Sequence, residues 1–159
     1  MVISAKALKW IIRFYPPLLF QRIWVISFEP DLRGVRVKVN KSMLNRNYNR
    51  SIFGGTLFAA ADPFYPILFQ QLLTRKGYKI IVWLKSAQIQ YLKPGVDDLY
   101  FNIYIDDETL AEAEQVLNTD GKYIRTFAIE MLNKQGELCA AVNCELYVRN
   151  LLINNNQGC

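Results

Sequence analysis

Along Arg33–Asn40 the valines Val35, Val37 and Val39 alternate with Arg36, Lys38 and Asn40, a period of two that predicts a half-buried strand. Ile23–Phe28 is its predicted hairpin partner, with Pro30-Asp31 and Gly34 marking the turn. Tyr78–Leu92 reads as one long strand that closes at Lys93-Pro94-Gly95. Leu99–Ile105 alternates again, and Lys122–Leu132 with Glu137–Arg149 predicts a hairpin across Asn133-Lys134-Gln135-Gly136. Helical patterns fall in three places. Ser4–Ile23 sets Lys6, Lys9 and Arg13 on one side and Leu8, Ile11, Ile12 and Tyr15 around the rest, with an interruption at Pro16-Pro17. Thr56–Leu73 is long and apolar enough for a helix wrapped by sheet, and Pro63 and Pro66 predict a kink or a split. Asp106–Leu117 reads as a short helix with carboxylates at its favourable N-terminus. This order predicts an α+β domain in which one antiparallel sheet curls around a central helix. With no internal repeat and no linker, the domain is placed at 23–150, with an N-terminal amphipathic helix over 1–22 and a polar tail over 151–159.

Composition narrows the class. A chain of 159 residues suits one domain with a real core, and 52% hydrophobic against 21% charged residues excludes intrinsic disorder. The net charge of +5 admits nucleic acid, an anionic membrane or a phosphate-bearing small molecule as partner. The basic residues show no block and no nucleic-acid motif, so nucleic acid is set aside. Ordinary solvated surface charge is the plain alternative. The longest uncharged run near the N-terminus, Phe14–Gln21, falls well short of the roughly 20 residues of a membrane span. No small-residue cleavage site follows it, so a signal peptide is not expected. Residues 4–23 are left with two readings: a helix lying on a membrane surface, or one packed over an open end of its own domain. Cys139, Cys144 and Cys159 show no Cys-x-x-Cys spacing, which predicts a reduced, cytoplasmic chain with Cys139 and Cys144 packed as small apolar residues.

An absence constrains the chemistry most: the chain has no histidine. Ser-His-Asp and Cys-His catalysis are thereby excluded, as are His-ligated metals, and three scattered cysteines do not make a zinc site. Neither a metal nor a resident cofactor is expected. Catalysis must rest on carboxylates, hydroxyls, amides, backbone donors or a perturbed lysine.

Those groups converge in the segment from Asn47 to Asp62. Gly54-Gly55 at a helix start lets a ligand come close to the backbone, and the unpaired N–H groups of the first turn suit an oxyanion or a polarised carbonyl. The alternative is that the glycines only let the chain turn tightly into the helix. Asp62 is the one carboxylate in an apolar run, where an unpaired charge is expensive. It is either a catalytic carboxylate or the cap of a helical piece that begins at Pro63, and both readings stay open. Asn47 and Asn49 suit the orientation of a water or a carbonyl, and equally suit ordinary loop chemistry.

Phe53-Gly54-Gly55 followed by Asp62 resembles the His-Gly-Gly…Ala-Asp helix start of the phenylacetyl-CoA thioesterase-like branch of the hot-dog superfamily. Asn47, six residues before Phe53, matches that branch's upstream Asn. The segment is also similar to uncharacterised hot-dog families grouped with thioesterases, which carry Phe-Gly-Gly. The resemblance covers roughly residues 23–150. It implies a hot-dog fold and hydrolysis of an acyl-CoA or acyl-carrier thioester, coenzyme A being part of the substrate. Gly55 would then give a backbone N–H to the thioester carbonyl, Asp62 would act as general base or nucleophile, and Asn47 would position the attacking water. Phe53 and Gly54 would contact the substrate. The departures are Phe53 in place of a polar residue, Pro63 directly after the acid, and Pro66 where related enzymes have a hydroxyl.

Gly55 and Asp62 are seven residues apart, about 10 Å along one helix, too far to touch one carbonyl. If both act, the acid comes from a second subunit, as the resemblance also implies; a homodimer, or a tetramer built from it, is therefore expected. Coenzyme A carries phosphates that Lys85, Lys93, Arg125 or Arg149 would meet, with the acyl group running past Phe58, Phe64 or Trp83. Surface charge and core packing are the plainer roles for all seven. The rival reading is an acyl-thioester or fatty-acid binding protein that keeps the fold without the chemistry.

Overall fold

A computed structural model describes residues 3–153, so Cys159 and the expected tail from residue 154 onward lie outside the described residues. The N-terminal helical pattern is two helices, α1 (Ala5–Arg13) and α2 (Pro16–Phe20), separated where Pro16 and Pro17 begin a new first turn. Strands β1 (Ile23–Phe28) and β2 (Gly34–Val39) follow as a hairpin. The apolar run is likewise two helices, α3 (Gly54–Ala61) and α4 (Phe64–Arg75), divided at Asp62-Pro63. Pro66 does not break α4, because as its third residue it lacks only an N–H that would have no partner within the helix. Then come β3 (Ile80–Tyr91), β4 (Leu99–Tyr104), α5 (Asp107–Thr119), β5 (Lys122–Leu132) and β6 (Leu138–Asn150).

All six strands join one antiparallel sheet in the order β1-β2-β4-β5-β6-β3. Its concave face is lined by every second residue: Val35, Val37 and Val39 of β2 meet Ile103, Phe101 and Leu99 of β4 in register. Against that face α4 buries Phe64, Tyr65, Leu68, Phe69, Leu72 and Leu73, a stripe at i, i+1, i+4 and i+5 that recurs each turn. Leu8 of α1 and Leu18 of α2 are buried in the same core, so these helices are fastened to the sheet and not appended to it. Gln71 of α4 accepts the Ile3 N–H at 2.9 Å, and Arg75 donates to the Ile3 carbonyl at 3.1 Å. Cys139 and Cys144 pack buried in β6 as expected.

Two features of the sheet bear on function. β4 and β5 pair only through Tyr100 and Leu132, so the sheet splays there, and the Tyr65 hydroxyl reaches from α4 to donate to the Ala128 carbonyl at 3.1 Å. β3 pairs with β6 along its length, with a bulge at Lys85, and its other edge has no strand partner among the described residues. A twelve-residue free edge of this kind is a template for a further strand.

Candidate functional site

The loop before α3 is held by its own amides. Asn47 Oδ1 accepts the Ser51 N–H at 3.0 Å while Asn47 Nδ2 donates to Ser51 Oγ at 2.8 Å, and the Asn47 N–H bonds the Ser51 carbonyl at 2.8 Å. The tight return places Arg50 at φ 61°. Asn45, buried below, accepts the Phe53 N–H on its carbonyl at 2.7 Å and thereby fixes the chain's entry into the helix.

At that entry Phe53 occupies the N-cap position with φ −59° and ψ 131°, and no side chain caps the helix. The Thr56 N–H turns back to the Phe53 carbonyl at 2.9 Å, which leaves the N–H groups of Gly54 and Gly55 without an intrahelical acceptor. Both glycines lie close under aromatic rings. A Cβ on Gly54 would lie 2.9 Å from the Tyr91 ring, and one on Gly55 would lie 2.4 Å from the Phe53 ring. The Tyr91 hydroxyl donates to the Gly54 carbonyl at 3.0 Å, tying the end of β3 to the helix start.

A cavity of about 340 Å³ opens between these elements, lined by Asn47, Ser51, Ile52, Gly54, Leu57 and the stretch Tyr91–Gly95. Of the residues singled out by sequence, it brings together Asn47, Gly54 and Lys93. Gly55 and Phe53 are exposed beside it, and Phe58 is exposed on the next turn. Tyr91, Ser51, Ile52 and Pro94 were not named by sequence as site residues. The Lys93-Pro94-Gly95 turn signal pointed to their neighbourhood without showing that it folds back onto the glycines. Phe64 is wholly buried in the core, and Trp83 stacks on Tyr147 of β6 with ring centres 4.2 Å apart.

Asp62 lies at the break between α3 and α4, outside the lining of that cavity. Its backbone is right-handed helical, with φ −62° and ψ −53°, and α4 carries no side-chain cap bond, so the carboxylate does not cap the second piece. No hydrogen bond or ion pair to it exists among the described residues. Asp62 faces solvent rather than the apolar interior that its sequence neighbours suggest, and partial desolvation raises its carboxyl from the ordinary aspartate value. Close by, burial and then the Asp62 charge push the Cys144 thiol up to about 11. The lysines behave differently. Lys85 at the β3 bulge pairs with Glu145 of β6 at 2.9 Å, and Lys93 just past β3 pairs with Glu137 just before β6 at 2.7 Å. Arg125 pairs with Glu112 of α5. No cluster of three or more potential metal ligands occurs among the described residues.

A family model described as a domain of unknown function, DUF4442, matches residues 5–148. The chain belongs to the DUF4442 family. The match begins at the first residue of α1, so this DUF4442 domain includes the N-terminal helices. No curated protein matches it by sequence. Among solved structures it is similar to PA5026 of Pseudomonas aeruginosa, described as a protein of unknown function and "Probable Thioesterase", with a TM-score of 0.78 at 18% identity over 94% of this chain and 98% of that one. Thioesterase HI1161 of Haemophilus influenzae gives 0.69 at 13% identity over 98% and 97%. The E. coli PaaI protein from the phenylacetic acid degradation operon gives 0.60 at 15% identity over 92% and 91%. Likeness at these identities establishes the fold: the DUF4442 domain is a hot-dog fold.

Proposed function

We propose that this DUF4442 domain hydrolyses an acyl thioester, of coenzyme A or of an acyl carrier, at a site shared between two subunits. The observation that carries the reading is Asp62, a carboxylate with no cation or donor among the described residues and a raised pKa, seven residues from a helix start whose glycine N–H groups have no intrahelical acceptor. An acid with a perturbed pKa and a set of open backbone donors are the two parts that acyl transfer needs, and a second subunit would bring them to one carbonyl. HI1161 is named a thioesterase and PA5026 a probable one, which supports the same reading.

In this reading the Gly55 N–H polarises the thioester carbonyl, and the positive end of α3 steadies the oxyanion. Asp62 of the partner subunit takes a proton from water as its oxygen attacks the carbonyl carbon. Collapse then breaks the carbon–sulfur bond and returns the proton to the leaving thiolate, giving a free acid and a thiol. The free edge of β3 is the place for the second copy, since edge-to-edge pairing would satisfy its backbone groups. Lys85 and Lys93 hold surface glutamates in pairs worth little, which a substrate phosphate would displace at small cost.

One observation favours the non-catalytic acyl-thioester binder: the Asn47 amide bonds Ser51 through both its oxygen and its nitrogen, which turns it to the loop and away from an attacking water. Turnover of acyl-CoA substrates by wild type and by Asp62→Asn separates the two readings. Activity in the wild type that vanishes in the variant supports hydrolysis; binding without turnover in both supports the alternative. Mixing tests the shared site. If Asp62→Asn and a Gly55 variant are each inactive, re-equilibrated mixtures should regain about a quarter of wild-type activity, because half the dimers are mixed and each carries one intact site. No recovery, or a monomeric mass by light scattering, counts against a shared site.

A further inference from the structure

The charge of the chain is unevenly placed. Ten of its 19 basic residues but only two of its 14 acidic residues fall within residues 1–61, and residues 1–28 hold Lys6, Lys9, Arg13 and Arg22 with no acid. Lys6, Lys9 and Arg13 lie on α1 and form no ion pair among the described residues.

They are interleaved with aromatic side chains that face solvent. α1 turns Ala5, Leu8 and Ile12 toward the core and presents Trp10 and Phe14, stacked at 5.9 Å, on the outside. The Arg13 guanidinium lies 5.5 Å from the centre of the Trp10 ring and 4.9 Å from Trp24, and the Lys9 ammonium is 5.9 Å from Trp10. Phe20 closes α2 and is 68% exposed. Asn45 Nδ2 donates to the Gln21 carbonyl at 2.8 Å, which fastens the next loop to the end of α2. That loop exposes Met43 by 83%, with Leu44 beside it and the cations Arg46 and Arg50 further along.

We propose that α1, α2 and the loop over residues 41–50 form one surface that docks on an anionic phospholipid bilayer. Large apolar side chains pointing into water are costly unless something covers them. A second copy is a poor cover, because a two-fold contact would set Lys6, Lys9 and Arg13 against their own counterparts. A soluble polyanion would use the cations and leave Phe14, Phe20 and Met43 in water. A bilayer interface takes both: rings enter the headgroup boundary while ammonium and guanidinium groups meet lipid phosphates. The same loop continues into Asn47 and Ser51, which wall the cavity at the helix start. Docking at this surface does not depend on any chemistry at Asp62.

The test is sedimentation of the full chain with vesicles of phosphatidylcholine alone and of phosphatidylcholine mixed with phosphatidylserine. The protein should pellet with the mixed vesicles only, and rising salt should release it. Reversing Lys6 or Lys9 to Glu should weaken partitioning by about fivefold per charge removed, and more for the sign change. Phe14→Ser and Phe20→Ser should each weaken it by about tenfold. Brominated lipid in the mixed vesicles should quench tryptophan emission of the wild type, and Trp10→Phe should remove that quenching, which keeps the idea testable should a serine variant misfold. Absence of pelleting, equal pelleting with neutral vesicles, or no quenching overturns the proposal. So does a fall in solution mass in Phe14→Ser, which would reveal a second copy on this face, or tighter binding to duplex DNA than to mixed vesicles.

Discussion

Two of the domain's helix starts, those of α5 and α3, are opposite in design. At α5, Asp106 sits in extended backbone and accepts the Thr109 N–H at 2.7 Å, with Asp107 and Glu108 following in the first turn. Backbone donation from Thr109 holds the Asp106 carboxyl below the ordinary range. At α3, an apolar Phe53 stands in the cap position, two glycines follow, and the first turn contains no acid. One terminus satisfies its own donors and dipole; the other leaves both without a side-chain partner among the described residues. The acids differ in the same sense, since Asp62 is raised where Asp106 is lowered. The open end, set beside a cavity, is where function is to be sought.

The largest effect that would sharpen this contrast is Asp62→Asn. Loss of a general base costs about 10²–10⁴ in rate. The raised carboxyl also fixes a pH signature. Wild-type turnover should fall on the acid side as Asp62 protonates, with that limb lying above the ordinary aspartate value. Stability moves the other way: a carboxyl raised by partial desolvation costs stability above its folded pKa, and that small cost is relieved as pH falls through it. Asp62→Asn should therefore melt no lower than wild type at neutral pH, which an unchanged or raised Tm would verify and a drop would contradict. Gly55→Ala comes next. The added Cβ must displace the Phe53 ring, crowding the open donors, and should lower kcat/KM by about 10–100-fold. Phe53→Ala in the same chain should restore part of the loss. Should the double variant stay as slow as the single one, the ring is not the obstacle.

The open end was legible in sequence because its signals are local. Gly54-Gly55 ahead of an apolar run, an isolated Asp62, and Pro63 after it lie within ten residues, and strand alternation placed most element boundaries within a residue or two. What failed to show was what meets across long separations. Nothing near Tyr91 announces that its hydroxyl will reach Gly54, 37 positions away. Lys85 and Lys93 looked available for phosphates because their partners, Glu145 and Glu137, depend on the register of β3 against β6. The cations looked scattered because no short window is dense in them, whereas their bias toward residues 1–61 appears only when that whole stretch is compared with the rest. Asp62 as a cap was a sound local reading, and it is the helical backbone at the break that sets the carboxylate aside from that role.

The smallest predicted effect lies at the closed end. Asp106→Ala removes the acceptor of the Thr109 N–H and should lower Tm by a few degrees without touching turnover, since no residue of α5 lines the cavity by the glycines. The pH dependence tells the two ends apart. A carboxyl whose folded pKa is depressed stabilises the fold above its unfolded value, and that contribution disappears as pH falls through the lower folded value. The Tm difference between wild type and Asp106→Ala should thus be fully present at neutral pH and close up in strong acid. Asp106→Asn should retain most of the stability at neutral pH, because an amide oxygen still accepts the Thr109 N–H. At α3 the opposite holds: installing a cap there by Phe53→Ser should raise Tm slightly while filling the donors a substrate needs. If that substitution left turnover untouched, the open helix start would be an accident of packing rather than the seat of the reaction.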